Sequence, residues 1–266
     1  MGPLRTPQLH RQRRELNADP ARTQALERLL ERRTRELEEL KQELDGLLFG
    51  LGHDLKAPLR AISGFAQALR EDWGASLDEE GRRELERISA AAKEMRERLE
   101  GLLELARISR APLRIEEADL SAIAHWVIDR LSVREPDRSV QAAVEEGIRV
   151  RGDPDLLARM LENLIENAWR YTPAGKTVHV ELGALRRGGE TVYAVRDRGA
   201  GFDPAMANRL FVPFQTLHPE LARGPHLGLP IVRRIVHRHG GRVWAEGKPN
   251  EGASFYFTLG EIGEAS

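Results

Sequence analysis

A seven-residue repeat of leucine near the N-terminus constrains the fold more than any other feature of the sequence. Leucine recurs at every seventh position from Leu30 to Leu51, and Leu26, Leu40 and Leu47 fill the interleaved positions, with charged residues of both signs between them. Three or more heptads with charged flanks are typical of a coiled coil, most simply a parallel homodimer. The alternative is one amphipathic helix packed on its own domain, but the apolar stripe is as narrow as a coiled-coil seam.

A His-Asp pair follows the heptad repeat directly, on a background that still predicts helix. His53 lies two residues after Leu51, about 200° around an α-helix, so we expect it to point away from the seam. An imidazole beside the carboxylate of Asp54 can be held in one tautomer and made a better nucleophile. An ordinary solvated polar pair is the alternative. Pro58 removes one backbone hydrogen bond, which predicts a kink just past the histidine.

The residues after the His-Asp pair predict a helical hairpin. An apolar heptad resumes at Leu55, and the first helix is expected to end at residues 73–75. Ser76 and Glu79 have the spacing of a capping box for a second helix. The apolar residues of that helix alternate in steps of three and four up to about Ile108. Two antiparallel helices per chain, doubled by the coiled-coil seam, predict a dimeric four-helix bundle.

Beyond Pro112 the sequence mixes helical and extended patterns and predicts an α+β sandwich, with helices on one face of a mainly antiparallel sheet. Helices are predicted at residues 120–131, 155–171 and 227–239, and strands at 139–144, 148–150, 178–182, 191–196, 242–245 and 254–259. The predicted division of the chain is a lead-in at 1–20, a coiled-coil signalling helix at 21–51, the hairpin at 52–110 and the α/β sandwich at 111–266.

Composition narrows the classes of function. The 41 basic and 42 acidic residues nearly cancel, so total charge gives no reason to expect nucleic acid or an anionic membrane as a partner. The absence of cysteine excludes a disulfide framework and a thiolate metal site, and it fits a reducing cytoplasm. No apolar run approaches the roughly 20 residues that span a bilayer, and no signal peptide is evident. We therefore expect a soluble chain, from which an upstream sensor domain has been separated if one existed.

Two asparagines on one face of the helix predicted at 155–171 indicate a ligand site. Asn163 and Asn167 are four residues apart, and asparagine is a poor helix former, so the pair needs a reason beyond propensity. Amide oxygens can ligate Mg²⁺, which is usually shared with substrate phosphates. Arg170 offers a guanidinium for phosphate and Tyr171 an aromatic ring for a base. A locally hydrogen-bonded pair of amides is the alternative.

Two glycine-containing loops follow that helix. In the first, Asp197 can accept a hydrogen bond from an exocyclic amine, and Gly199 and Gly201 let the backbone approach a ligand closely, although an ordinary turn has the same composition. The second, residues 224–229, leads into a helix whose free N–H groups suit a phosphate. Between them, the sequence Phe-Val-Pro-Phe at 211–214 and the polar residues 215–224 are typical of a mobile cover over a ligand.

The order of these motifs closely resembles that of sensor histidine kinases of two-component signalling. The five motifs are a His-Asp helix with a proline five residues on, Asn-x-x-x-Asn, Asp-x-Gly-x-Gly, Phe-x-Pro-Phe and Gly-x-x-Leu-Gly-Leu, all within residues 25–260. The stretch from His239 to Trp244 is most similar to kinases coupled to phytochrome or PAS sensors, which are usually cytoplasmic. The resemblance implies a dimerisation and phosphotransfer hairpin followed by a GHKL-type ATP-binding domain.

The resemblance also implies roles for individual residues. His53 would accept the γ-phosphoryl group of ATP with Asp54 as general base, and would then pass it to an aspartate on a response-regulator receiver domain. Asn167 would bind Mg²⁺, with Asn163 and Arg170 near the phosphates. The other residues implied for the nucleotide site are Tyr171, Asp197 at the adenine amine, Gly199 and Gly201, with Phe214, Arg223, Gly224, Gly228 and Leu229 at the lid.

Four positions depart from the pattern of that family. Ala57 stands where Thr or Asn is common, which puts phosphatase activity in question. Thr216 replaces a frequent basic residue, and Pro225 and His226 replace the usual Thr-Gly of the lid. A kinase-shaped binding module with weak or no kinase activity is therefore an alternative. Another is a clamp ATPase of the same superfamily, like gyrase, although that function leaves the His-Asp helix without a purpose.

Overall fold

The computed structural model describes residues 20–218 and 226–260 of the chain. Within the first helix, only the backbone is described for residues 20–22, 26, 38, 41, 44, 45, 47–49, 51 and 53. The chain divides into two compact units, residues 1–50 and residues 51–266. In the described ranges, no helix combines the length and the apolar character needed to cross a membrane.

The first unit consists, in its described part, of the beginning of helix α1, which runs from Pro20 to Trp73. The heptad leucines Leu30 and Leu37 are 63% and 67% exposed in the single chain. Ion pairs such as Arg32 with Glu36 lie on the surface of the same helix. Each of them stabilises the helix by only about 0.2–0.5 kcal/mol. The helix predicted from residue 21 is present, and the seam leucines whose side chains are described, Leu30, Leu37 and Leu40, are exposed in the single chain.

The second unit begins with a helical hairpin formed by the rest of α1 and by α2, Glu79–Arg110. Helix α1 continues through Pro58 without a break and ends at Trp73, within the predicted boundary. One backbone hydrogen bond is lost at a helix-interior proline, and a long helix packed on a neighbour tolerates that loss. The two helices share a small buried cluster of leucine side chains, made up of Leu59, Leu99 and Leu103.

The start of α2 differs from the prediction. Asp78, not Ser76, is the N-cap residue, and its carboxylate accepts a hydrogen bond from the backbone N–H of Gly81 at 2.7 Å. The capping box expected from Ser76 and Glu79 is therefore wrong. Asp78 satisfies one of the free N–H groups of the first turn and also places a negative charge at the positive end of the helix dipole.

Five large apolar side chains of the hairpin stay about half exposed in the single chain. They are Leu55, Ile62, Leu69, Ile88 and Met95, all between 46% and 55% exposed. Contiguous apolar stripes of this size mark association surfaces rather than ordinary solvated faces. The stripe continues the heptad that predicted a four-helix bundle.

The rest of the second unit alternates short helices and strands. After the hairpin come strand β1 (Glu116–Asp119), helix α3 (Leu120–Arg134), β2 (Val140–Val144), β3 (Arg149–Gly152), α4 (Pro154–Tyr171), β4 (Val178–Arg187), β5 (Glu190–Asp197), a short 3₁₀ helix (Pro204–Arg209), α5 (Gly228–Arg238), β6 (Val243–Lys248) and β7 (Gly252–Phe257). The sequence predicted all three α-helices and the strands from β2 onward, but it missed β1 and the 3₁₀ helix, and it made β4 too short.

The strands form a five-stranded sheet and a separate two-stranded ribbon. The order in the large sheet is β2-β4-β5-β7-β6, in which only β2 and β4 run parallel. Strands β1 and β3 pair antiparallel in the ribbon. The inner face of the sheet joins the three helices in one large core, whereas Val192, Ala194 and Tyr256 form a small cluster on the outer face. The predicted α+β sandwich with a mainly antiparallel sheet is confirmed.

A fully buried histidine ties α5 to the beginning of α4. The backbone N–H of Asp153 donates to Nε2 of His239 at 2.9 Å, and Nδ1 of the same ring lies 2.8 Å from the carbonyl oxygen of Ile235. This pattern places the ring proton on Nδ1, because Nε2 is already an acceptor. Burial lowers the pKa of His239, so the folded protein favours the neutral ring. Asp153 in turn caps α4 through the N–H of Leu156.

Candidate functional site

A cleft in the α/β sandwich lies between α4, the loop that follows β5 and the start of α5. The cleft is partly open to solvent. Seven of the residues singled out in the sequence line it, namely Asn167, Arg170, Tyr171, Asp197, Gly201, Gly228 and Leu229. The structure therefore brings together side chains from three motifs that are up to 62 residues apart in sequence.

The two asparagines lie on the buried face of α4, as their spacing predicts. Asn163 donates from Nδ2 to the carbonyl oxygen of Arg159 at 2.7 Å, so its amide is partly used in the helix. The Nδ2 atom of Asn167 is buried and has no hydrogen-bond partner among the described residues. A buried amide without a partner is costly, by about 1–3 kcal/mol, and such groups mark sites where a ligand supplies the partner.

Asp197 ends β5 at the floor of the cleft. Its Oδ1 atom accepts hydrogen bonds from the backbone N–H groups of Gly199 at 2.8 Å and of Ala253 at 3.3 Å. Burial raises the pKa of the carboxyl group, while these two hydrogen bonds act in the opposite direction. Neither bond uses Oδ2, so the second oxygen of Asp197 is left to accept a hydrogen bond from a ligand.

The two glycines of this loop are required by close packing against backbone. A Cβ atom on Gly201 would lie 1.8 Å from the carbonyl oxygen of Lys248, and the residue has a left-handed φ of 62°. A Cβ atom on Gly199 would lie 2.7 Å from the carbonyl oxygen of Tyr171. Gly201 lines the cleft and Gly199 does not. The glycines thus shape the cleft by letting chain segments approach each other, and not only by giving room to a ligand.

One wall of the cleft was not predicted from the sequence. His218 places its ring 5.9 Å from that of Tyr171, and its Nε2 atom lies 2.6 Å from the carbonyl oxygen of Gly201. The other lining residues are Phe202, Leu210, Gln215, Leu217, Ala253 and Phe255, together with Thr216 and His226, which the sequence singled out as departures in the lid. Most of them stand in irregular segments, and only the interpretation of residues 215–224 as a cover pointed to this region.

The expected lid residues separate into three groups. Gly228 and Leu229 line the cleft, and Arg223 and Gly224 lie outside the described residues. Phe214 does not line the cleft. It has a left-handed φ of 63°, and its ring lies 5.9 Å from the guanidinium carbon of Arg98 on α2. In this arrangement the ring of Phe214 faces the hairpin, and its expected place at the lid stays a prediction.

A second cleft separates α2 from the helices of the α/β sandwich. Its walls are formed by Glu97, Glu100, Gly101 and Glu104 of α2, by Arg159, Asn163, Glu166, Asn167 and Arg170 of α4, and by His226, Leu227, Gly228 and Ile231. Asn167, Arg170, His226 and Gly228 line both clefts. We call these four residues the junction residues. The two clefts therefore share a wall of mainly polar residues.

Three contacts hold α2 against the α/β sandwich. A Cβ atom on Gly101 would lie 2.3 Å from Cδ1 of Leu227, so the buried Leu227 side chain occupies a notch that only glycine leaves open. Arg159 binds Glu104 through two hydrogen bonds of 2.5 and 2.8 Å. Arg238 donates to the backbone carbonyl oxygens of Ile108 and Ala111, the second at 2.7 Å.

The position of His53 follows from its neighbour Gly52. His53 is a residue of α1, and the structure describes only its backbone. A Cβ atom on Gly52 would lie 2.5 Å from Cδ2 of Leu103, so the two hairpin helices approach closely at this level. Leu103 lies between Gly101 and Glu104, which line the second cleft. The helix segment that carries His53 therefore lies at the height of the hairpin where the two clefts meet. Asp54, the next residue, is exposed.

Comparison with known proteins identifies the family. Residues 43–111 match the model of the His Kinase A (phospho-acceptor) domain, and residues 152–262 match that of the Histidine kinase-, DNA gyrase B-, and HSP90-like ATPase. Over 262 residues the chain is 31% identical to the adaptive-response sensory kinase SasA of a Synechococcus species, covering 92% of this chain and 69% of SasA. This chain belongs to the sensor histidine kinases. The resemblance stated from its motifs is thus confirmed.

Other sensor histidine kinases that are similar to this chain are much longer. Cyanobacterial phytochrome B of a Nostoc species is 32% identical over 231 residues, which are 85% of this chain but 31% of the phytochrome. The crystal structure of full-length ShkA in complex with AMPPNP has a TM-score of 0.60 and 26% identity, over 80% of this chain and 45% of ShkA. The chain thus spans about a third to a half of the length of these two proteins.

Three departures from the kinase pattern can be placed in the structure. Ala57 is exposed on α1, four residues past His53. Thr216 lines the first cleft, and its hydroxyl oxygen accepts a hydrogen bond from the N–H of His218 at 3.2 Å. His226 has a left-handed φ of 52°, a conformation that a glycine adopts without cost. The fourth departure, Pro225, lies outside the described residues.

Proposed function

We propose that this chain is an ATP-dependent protein histidine kinase that phosphorylates itself on His53 and passes the phosphoryl group to an aspartate of a response regulator. The observation that carries the proposal is that four residues, the junction residues, line both the first cleft and the cleft beside α2. Phosphates of a nucleotide in the first cleft would lie at these residues, on the side that faces α2. The helix segment that carries His53 packs on α2 at the same height, through Gly52 and Leu103.

The base of the nucleotide is assigned to the floor of the first cleft. Asp197 is proposed to accept a hydrogen bond from the exocyclic amine of adenine through Oδ2, which the backbone bonds to Oδ1 leave available. The ring of Tyr171 lines the same cleft and is proposed to contact the base. Gly199 and Gly201 would serve by shaping the loop that supports Asp197.

The phosphates are assigned to the junction between the two clefts. Arg170 supplies a guanidinium there, and Asn163 lines the second cleft with it. Mg²⁺, when bound, would neutralise phosphate charge, and Asn167 is proposed to hold it through its amide oxygen. Nδ2 of Asn167, which is buried and has no partner among the described residues, would be left to donate to a phosphate oxygen. Residues of the lid are proposed to close over the nucleotide, namely Phe214, Arg223, Gly224, Gly228 and Leu229.

The transfer step needs alignment more than covalent chemistry from the protein. A ring nitrogen of His53 would attack the γ-phosphorus as the bond to the β,γ-bridging oxygen breaks and ADP leaves. The proton that the imidazole must lose is assigned to Asp54, the adjacent carboxylate. The phosphohistidine would then transfer its phosphoryl group to the receiver-domain aspartate, which regenerates the free histidine.

We further propose that the kinase acts as a homodimer in the cytoplasm, where ATP and response regulators are found. The half-exposed stripe of the hairpin and the exposed heptad leucines of the first unit support a dimer, because both would be buried by a second copy. In this proposal residues 21–51 form a coiled-coil signalling helix, residues 52–110 the dimerisation and phosphotransfer hairpin, and residues 111–266 the catalytic domain.

Incubation with γ-labelled ATP and Mg²⁺ tests the proposal directly. We expect acid-labile, alkali-stable label on the wild-type chain and none on His53→Gln. Asp197→Asn should also remove the label, since it replaces the acceptor of the adenine amine with an amide whose Oδ1 can still accept from Gly199. Addition of a receiver domain should transfer the label to that protein. A wild-type chain that binds ATP but takes no label would contradict the assignment.

A second candidate function is a regulatory binding module with the kinase fold but little kinase activity. The left-handed φ of His226 favours it, because a non-glycine residue strains the lid at a position that faces the phosphates. The same labelling experiment separates the two functions. Label incorporated at a rate typical of histidine kinases would exclude the inactive module.

A further inference from the structure

His226 stands at the point where a nucleotide's phosphates would leave the first cleft. It is one of the four junction residues, and it directly precedes Leu227, whose side chain fills the notch at Gly101 on α2. Its charged neighbours come from both sides of the junction: Arg170 lies on α4, and Glu94 and Arg98 lie on α2. A group at this position can touch both the phosphates and the hairpin.

The backbone of His226 is held in a conformation that its side chain disfavours. A φ of 52° costs a residue with a Cβ atom about 1–2 kcal/mol relative to the right-handed region. Strain of this kind persists when the surroundings fix the conformation, and it is concentrated at ligand sites. Glycine is the residue that the family pattern leads one to expect here, and it would carry no such cost. The imidazole therefore needs a function that offsets the strain.

The imidazole also has a hydrogen-bonding atom that is left unsatisfied. Its Nδ1 atom is buried and has no hydrogen-bond partner among the described residues. Burial, with further contributions from Arg170 and Arg98, lowers the pKa of His226. A neutral ring keeps one N–H donor and one acceptor, and the phosphate oxygens of a nucleotide are acceptors only. A terminal phosphate beside Arg170 would be a suitable partner for the ring.

We propose that His226 binds the terminal phosphate of the nucleotide through its imidazole and thereby makes the site prefer a nucleoside triphosphate to a diphosphate. The inference rests on the proposed ATP site and adds to it a side-chain contact that a glycine at this position cannot make. The base is assigned to Asp197 at the floor of the first cleft, so the contact acts at the opposite end of the nucleotide, on the third phosphate. His226 is thus a specificity-determining residue of the lid.

Calorimetric titration with AMPPNP and with ADP, both with Mg²⁺, tests this proposal on the full chain without relying on turnover. The informative variants are His226→Gly, which removes the ring and the strain, and His226→Asn, which tolerates a left-handed φ and keeps an N–H donor. We expect His226→Gly to weaken AMPPNP binding about tenfold, the size of one hydrogen bond to a charged group. ADP affinity should change less than twofold, and His226→Asn should recover most of the AMPPNP affinity.

Asn250→Gly is the matched control, because Asn250 also has a left-handed φ, of 63°, and does not line either cleft. It should change neither affinity, and the unfolding temperatures of both glycine variants should equal or exceed that of the wild type. His226→Gly binding AMPPNP as tightly as the wild type, or losing AMPPNP and ADP affinity equally, would overturn the inference alone. A wild type that binds neither nucleotide would overturn the proposed ATP site together with it.

Discussion

Replacement of Gly101 by alanine tests whether the Leu227 notch couples the lid to the hairpin. The new Cβ atom would lie 2.3 Å from Cδ1 and 3.2 Å from Cβ of Leu227. Cδ1 is the end of a flexible side chain and can rotate away, but the buried side chain then leaves its notch and the start of α5 moves with it. The same substitution also removes a glycine from a helix, which by itself stabilises the helix.

The two effects have opposite signs, and their sizes decide the outcome. Alanine in place of glycine inside a helix gains about 0.5–1 kcal/mol. Forcing an extra methyl group into a packed contact costs about 1–3 kcal/mol. The contact should therefore be weakened by up to about 2.5 kcal/mol net, which corresponds to as much as about a seventyfold rise in local opening. Gly64 is the matched control, because a Cβ atom there would meet nothing within 4 Å, so Gly64→Ala should only stabilise α1.

Amide hydrogen exchange at the start of α5 measures this opening directly. The N–H of Ile231 bonds to the carbonyl oxygen of Leu227 at 2.9 Å and reports on that turn. We expect faster exchange there in Gly101→Ala and unchanged exchange in Gly64→Ala. In a Leu227→Ala background the notch has space, so Gly101→Ala should no longer accelerate exchange. Equal effects of Gly101→Ala in both backgrounds would refute the notch as the coupling contact.

Two further predictions concern the hairpin and the buried histidine. Gly52→Ala should separate the hairpin helices beside the phospho-acceptor, because its Cβ atom would lie 2.5 Å from Leu103. Autophosphorylation should fall severalfold with ATP affinity unchanged, and equal labelling rates would contradict this. His239 has a pKa lowered by burial, so its contribution to stability is complete above about pH 6.5 and is lost as the pH falls below that value, by at most about 1.4 kcal/mol per pH unit. Between pH 7.5 and pH 5.5, urea unfolding should show a smaller decrease in the free energy of unfolding for His239→Gln than for the wild type. Equal decreases in the two proteins would argue against a contribution from His239.

The sequence predicts best those parts of the fold in which apolar residues repeat with a regular period. The prediction for helix α4, residues 155–171, is within one residue of the observed Pro154–Tyr171, because its apolar positions repeat every three to four residues. Strand β1 was missed because only one of its four side chains, Ala118, is buried. Its strand conformation comes from pairing with β3, which is distant in sequence. A pairing of this kind leaves no local pattern to detect.

The sequence predicts those residues of the candidate site that belong to its motifs. Asn167, Arg170, Tyr171, Asp197 and Gly228 do line one cleft. The second cleft and the contacts of α2 could not be predicted, because each depends on how α2 packs on α4 and α5. From the sequence alone, a glycine such as Gly101 indicates only a position of low helix propensity. The packed structure shows that it accommodates the side chain of Leu227.

The two hydrogen bonds of Arg238 have a consequence for how far the catalytic domain can reach. They fasten the end of α2 at Ile108 and Ala111, which leaves residues 112–115 as the connection to β1. Fully extended, four residues span only about 13–14 Å. So short a tether would keep the effective concentration of the nucleotide near the hairpin high. Release of the Arg238 bonds would free the end of α2 from α5, but the N–H of Arg114 would still donate to Oδ2 of Asp153, so this second contact also limits how far the domain can move from the hairpin.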